Sequence, residues 1–150
     1  MHMVWGFEMT GVGYAQRIAG ANFSVEQTGV GGGSYSYDIE AHVIRTSSSS
    51  AIVASDYETS ASLLMTNFVE STTGTRTLDA AGTMALTSYL QDNWKKGEYA
   101  FIGLKARDNT DGDLTIDSFP NGSNDFYSFG AAAKLILLLH PPLGTWFSVR

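Results

Sequence analysis

The sequence predicts an all-β fold: a jelly-roll-like antiparallel β-sandwich carrying one short helix. Three observations point to it. Apolar residues recur mostly at every second position, the period of a strand with one face on a core. The alternating runs are short, seven or eight in number, and separated by Gly-, Ser-, Asn- and Asp-rich turn chemistry. One segment departs from period two with the three-and-four spacing of a helix.

Taken in order, Val4–Thr10 is the first strand candidate. Next, Ile18, Ala21, Phe23 and Val25 alternate with Asn22, Ser24 and Glu26. The run Thr28-Gly29-Val30-Gly31-Gly32-Gly33 then reads as a hairpin tip. It lacks the Lys-Ser/Thr ending of a phosphate loop and opens no helix. Tyr37, Ile39, Ala41 and Val43 alternate with Asp38, Glu40, His42 and Ile44, and the segment Thr46 to Ser50 separates this strand from Leu63–Val69. Asp79 is an expected N-cap, followed by Met84, Leu86, Tyr89, Leu90, Asn93 and Trp94 on one helical stripe. Gly97 is the expected stop, with Lys95 and Lys96 in the last turn. Beyond it, Ala100, Ile102, Leu104 and Ala106 alternate with Phe101, Gly103 and Lys105. Leu114–Phe119 and Lys134–Leu139 complete the set, and Pro141-Pro142 ends the last strand by removing two backbone donors.

The 150 residues suit one domain over positions 1–150. Met1-His2-Met3 reads as a cloning-derived start, and 140–150 as a C-terminal extension or a last strand over Thr145–Val149. The charge is −6 and the nine basic residues are scattered, which argues against nucleic acid as a partner. No apolar run approaches the ~20 residues of a membrane-spanning helix. There is no cysteine, hence no disulfide, zinc–thiolate site or cysteine nucleophile.

Two constellations can carry chemistry. Asp38, Glu40 and His42 occupy alternate positions of one strand and so share a face. Such a row suits a glycosidase, which needs one protonated acid and one carboxylate about 5–9.5 Å apart. It equally suits a ligand-binding or metal-binding row, or the solvated outer face of an antiparallel sheet. The loop Asp108-Asn109-Thr110-Asp111-Gly112-Asp113 offers Asp108, Asp111 and Asp113 to a structural Ca²⁺. Alternatively its Asp-Gly pair marks a hairpin between Tyr99–Ala106 and Leu114–Phe119. Exposed aromatics stack on sugar rings, and Tyr35 and Tyr127, in polar surroundings, are the expected platforms. Trp94, on the helix stripe, is expected in the core. No Gly-x-Ser-x-Gly elbow is present.

The stretch from Leu86 to Ala106 carries a likeness. Leu86, Leu90 and Trp94 lie on a helical segment, Gly97 follows, and the strand Tyr99–Ala106 contains Ile102-Gly103-Leu104. This resembles the DNRLRE-type β-sandwich modules of secreted bacterial proteins. The resemblance implies a jelly-roll-like, carbohydrate-binding-module-like domain, attached to polysaccharide-degrading or cell-surface proteins, with no catalytic motif. The resulting expectation is a secreted or cell-surface, non-catalytic module that binds polysaccharide and requires no cofactor. Its ligand-binding residues would be Tyr35, Asp38, Glu40, His42 and Tyr127. The rival readings are a structural or adhesive surface domain, and a small glycoside hydrolase or lyase using Asp38, Glu40 and His42.

Overall fold

A computed structural model describes residues 2–9, 12, 17–30, 39–44, 61–95, 97–106, 115–117, 126–130 and 132–140. In chain order the elements are β1 (His2–Glu8), β2 (Arg17–Gly29), β3 (Ile39–Ile44), β4 (Ala61–Met65) and β5 (Gly74–Thr77). Then come α1 (Ala80–Asn93), β6 (Tyr99–Ala106), β7 (Thr115–Asp117), β8 (Phe126–Phe129) and β9 (Lys134–His140). The strands form two sheets, one in the order β1-β6-β3-β4 and one in the order β5-β2-β8-β7, with β9 also paired to β2. Among the described residues every pairing is antiparallel except β7 with β8. The fold is an all-β sandwich with one helix among the described residues.

The long strand β2 organises the second sheet. β9 pairs with its first half, from Arg17↔His140 to Ser24↔Lys134, and β8 continues along the same edge at Gln27↔Phe129. Gly130 bridges the two by donating its N–H to the Glu26 carbonyl at 2.7 Å. β5 takes the opposite edge, but only from Ser24 to Gln27. The rest of that edge meets α1, whose side chains supply what a strand backbone would. Ala21 N donates to Thr87 Oγ1 at 2.9 Å, and Gln91 Nε2 donates to the Ile18 carbonyl at 2.8 Å. An uncovered strand edge is thereby satisfied by two residues one helical turn apart.

Alternation is translated into layers as expected. Phe23, Val25, Ile39, Val43, Ala100, Ile102 and Leu104 are all buried in one core. Phe23 sits at its centre, with ring centroids 5.5 Å from Trp5, 6.1 Å from Phe7 and 5.7 Å from Phe68. Trp5 and Phe7 belong to the first sheet and Phe23 to the second, so one aromatic group joins the layers. A smaller cluster, Ile44 and Phe101 with Val4, Ala61 and Tyr99, lies on the outer face of the first sheet.

Several expectations are corrected. The helix starts where Asp79 caps it, accepting from Gly82 N at 2.7 Å, but it ends at Asn93. Trp94 is already extended, and Lys95 lies in a turn closed by Glu98 N donating to the Lys95 carbonyl at 3.0 Å. Gly97 serves that turn with φ of 87°, so it is not the residue that stops the helix. The strand expected over Leu63–Val69 stops at Met65, because Asn67 turns the chain with φ of 52°, a conformation asparagine tolerates. The Asp-Gly hairpin does not form: β6 pairs with β1 and β3, whereas β7 lies in the other sheet beside β8. The Asp111-Gly112 pair itself lies outside the described residues.

Candidate functional site

The polar row on β3 is brought together only in part. Ile39, Ala41 and Val43 point into the core, leaving Glu40 and His42 on the outer face of the first sheet. Glu40 Oε2 lies 2.9 Å from His42 Nε2, and the side chains are only 17% and 11% exposed. That exposure is too low for the solvated face the sequence suggested. Across the ladder Glu40 faces Lys105, a favourable cross-strand charge pair, and His42 faces Gly103 on β6 and Leu63 on β4. What the described residues hold here is one carboxylate engaged with one imidazole. The second carboxylate a glycosidase requires, Asp38, lies outside the described residues, as do Tyr35 and the three calcium candidates Asp108, Asp111 and Asp113. Tyr127 is placed in β8 opposite Ile116, with its side chain outside the description. No group of three or more metal-ligating side chains occurs among the described residues.

A different site emerges where the start of β2, the end of β9 and the last turn of α1 converge. A cavity of about 500 Å³ opens there, lined by Arg17, Ile18, Leu90, Gln91, Trp94 and His140. Its size falls in the usual range of small-ligand sites, roughly 300–1,000 Å³. Ile18 and Leu90 are buried and form its apolar base. Trp94 is half-buried, packed on the core by one side. Its indole Nε1 donates to the Glu98 carbonyl at 2.9 Å, and this bond holds the ring's orientation from the turn that follows the helix. Arg17 and His140 are direct cross-strand partners, so their side chains project from the same face; both are exposed.

The arrangement combines an oriented aromatic ring, an amide and two basic side chains, with no carboxylate among the described lining residues. Arg17 offers a planar fork of donors, His140 an imidazole and Gln91 an amide. Sequence reasoning places Trp94 in the core, against which it does pack, and does not single out Arg17 or Gln91. The usable signal was positional: Trp94 ends the apolar stripe just before a turn, and such a residue packs by one side only. Another cavity, of about 440 Å³, follows the seam between β1 and β9, and its described lining residues are apolar apart from Glu8. No protein-family model, curated protein or solved structure gives a significant match to this chain.

Proposed function

We propose that this chain is a non-catalytic polysaccharide-binding module of a secreted or cell-surface bacterial protein, with its binding site at the Trp94 cavity. The observation that carries the reading is the half-buried, oriented Trp94 ring beside Arg17, Gln91 and His140. Sugar rings present apolar C–H faces that stack on indole, while their hydroxyls need fixed donors and acceptors around the ring. The resemblance over Leu86–Ala106 supports the same reading, since it spans the helix end and turn that hold Trp94. Arg17 supplies a local cation and a planar fork of donors beside His140, which favours glycans bearing carboxylate or sulfate at this site against the overall charge of −6.

Affinity electrophoresis through gels containing acidic or neutral polysaccharides tests the proposal. The chain should be retarded by a glycan, more by an acidic one. Arg17→Ala, at an exposed position, should reduce retardation severalfold at an unchanged melting temperature, the effect of losing a charge-assisted hydrogen bond. The wild-type chain should release no oligosaccharide on prolonged incubation. Mobility unaffected by every polysaccharide would remove the reading in favour of a structural or adhesive domain. Oligosaccharide release that disappears in Glu40→Gln would favour the hydrolase or lyase.

A further inference from the structure

The pairing of β2 with β9 contains an irregularity that decides which face Arg17 occupies. Along β2 the residues Ala21, Phe23, Val25 and Gln27 are buried, and a strict period of two would continue inward through positions 19 and 17. Instead Ile18 pairs with Leu139 and Gly20 with Leu138, so two steps of β2 match one of β9 and Ala19 is the extra residue. Ile18 is buried in place of Ala19, and Arg17 is turned outward beside His140. Bulges re-aim side chains in this way, and a one-residue change of register reverses every face beyond it.

No described strand covers the other edge of β2 at this point; Gln91 does. Its amide must present Nε2 to the Ile18 carbonyl, because only the nitrogen can donate, and the distance is 2.8 Å. One turn earlier, Thr87 accepts from Ala21 N at 2.9 Å and donates to the Thr83 carbonyl at 2.7 Å, on the regular side of the bulge. Thr87 and Gln91 thus hold the same edge, but only Gln91 grips the bulged residue pair and lines the cavity.

We infer that Gln91 is the positioning residue of the Trp94 cavity: it fixes the bulge at Ile18–Gly20 and thereby keeps Arg17 on the ligand face beside His140. The inference rests on the proposed binding function for its affinity readout, while its geometric content is testable without any ligand. Gln91→Met keeps the length of the side chain and removes the donor; Thr87→Val removes the neighbouring clamp and serves as the comparison. Two measurements are made on the purified chain and both variants. One is retardation by the polysaccharide that binds wild type best. The other is the set of amide shifts of Arg17 to Gly20 together with the Trp94 indole N–H signal in ¹⁵N-resolved NMR.

Gln91→Met should weaken retardation about five- to tenfold and move the Arg17–Gly20 and Trp94 signals. Thr87→Val should lower the melting temperature while leaving affinity within about twofold, since its bond lies beyond the bulge. If Gln91→Met binds as wild type does, or both variants lose affinity in proportion to their melting temperatures, Gln91 is only a fold residue and the inference fails. If no polysaccharide retards wild type, the functional reading fails, and the NMR shifts judge the clamp alone. Signals displaced at Arg17–Gly20 in Gln91→Met but not in Thr87→Val uphold it; signals unchanged in both overturn it.

Discussion

A single methyl group at position 82 sets two effects of opposite sign against each other. Gly82 is buried in the first turn of α1, where the helix meets β4, and a Cβ there would lie 2.9 Å from the Leu64 carbonyl oxygen. Alanine favours a helix over glycine by about 1 kcal/mol. The opposing contact is with backbone, which cannot swing aside, and overpacking of that kind costs about 1–3 kcal/mol. Gly82→Ala should therefore destabilise the fold, by about 1–2 kcal/mol net, measured by urea denaturation. A gain in stability would show that α1 can lift from β4 without cost. Asp79, three residues earlier, was legible as a cap because capping is local: the side chain needs only the amides of its own first turn. The constraint on Gly82 was not legible, because it comes from Leu64, brought close only by the fold.

At the scale of elements, β9 shows what alternation alone conceals. Its five consecutive apolar residues, Leu135 to Leu139, carry no polar-apolar rhythm, so the sequence offers no inside and outside. The strand nonetheless divides them: Leu135, Leu137 and Leu139 pack on the core, whereas Ile136 and Leu138 are 56% and 66% exposed. Leu137→Ala should cost about 2 kcal/mol, the lower end of the buried range because the site is only partly covered. Leu138→Ala should stay within about 0.5 kcal/mol of wild type. Equal losses at both positions would mean that the outer face of β9 is covered in solution. The strand β5 escaped notice for a different reason. Gly74-Thr75-Arg76-Thr77 has no apolar face, and its buried residue is an arginine. Arg76 is tolerated inside because Nε donates to Gln27 Oε1 at 2.7 Å, a terminal nitrogen meets Glu70 at 2.9 Å, and another donates to the Thr72 carbonyl. Binary patterning reads hydrophobicity, and this strand is held by a polar network centred on the fully buried Gln27. By contrast, the bulge in β2 left a trace in the sequence: the step from Ile18 to Ala21 is three residues where the rest of the strand steps by two.

Over the molecule as a whole, the question is whether two sheets joined by long connections behave as one cooperative unit. The core answers through its composition. A single group of buried residues draws on β2, β3, β4, β6, β8, α1 and the segment carrying Phe68, and partly buried residues of β1 and β9 pack against it. Phe23 touches the Trp5 and Phe7 rings of β1 and the Phe68 ring. β2 also carries the hydrogen bonds to β5, β8, β9 and α1, so displacing Phe23 loosens the second sheet and the contact between sheets together. Phe23→Ala should accordingly cost about 3–5 kcal/mol. For a chain of this size that corresponds to a fall of about 2–4 °C in melting temperature per kcal/mol. Two probes report on different parts of the structure: far-UV circular dichroism on all strands, and the fluorescence of Trp5, which packs against Phe23 and Phe129, read in a background carrying Trp94→Phe and Trp146→Phe. If the layers share one core, both transitions move down together and remain coincident, as two-state unfolding requires. Separation of the two curves in Phe23→Ala, with fluorescence lost well before the circular dichroism signal, would show instead that each sheet keeps stability of its own and that the aromatic cluster merely docks them.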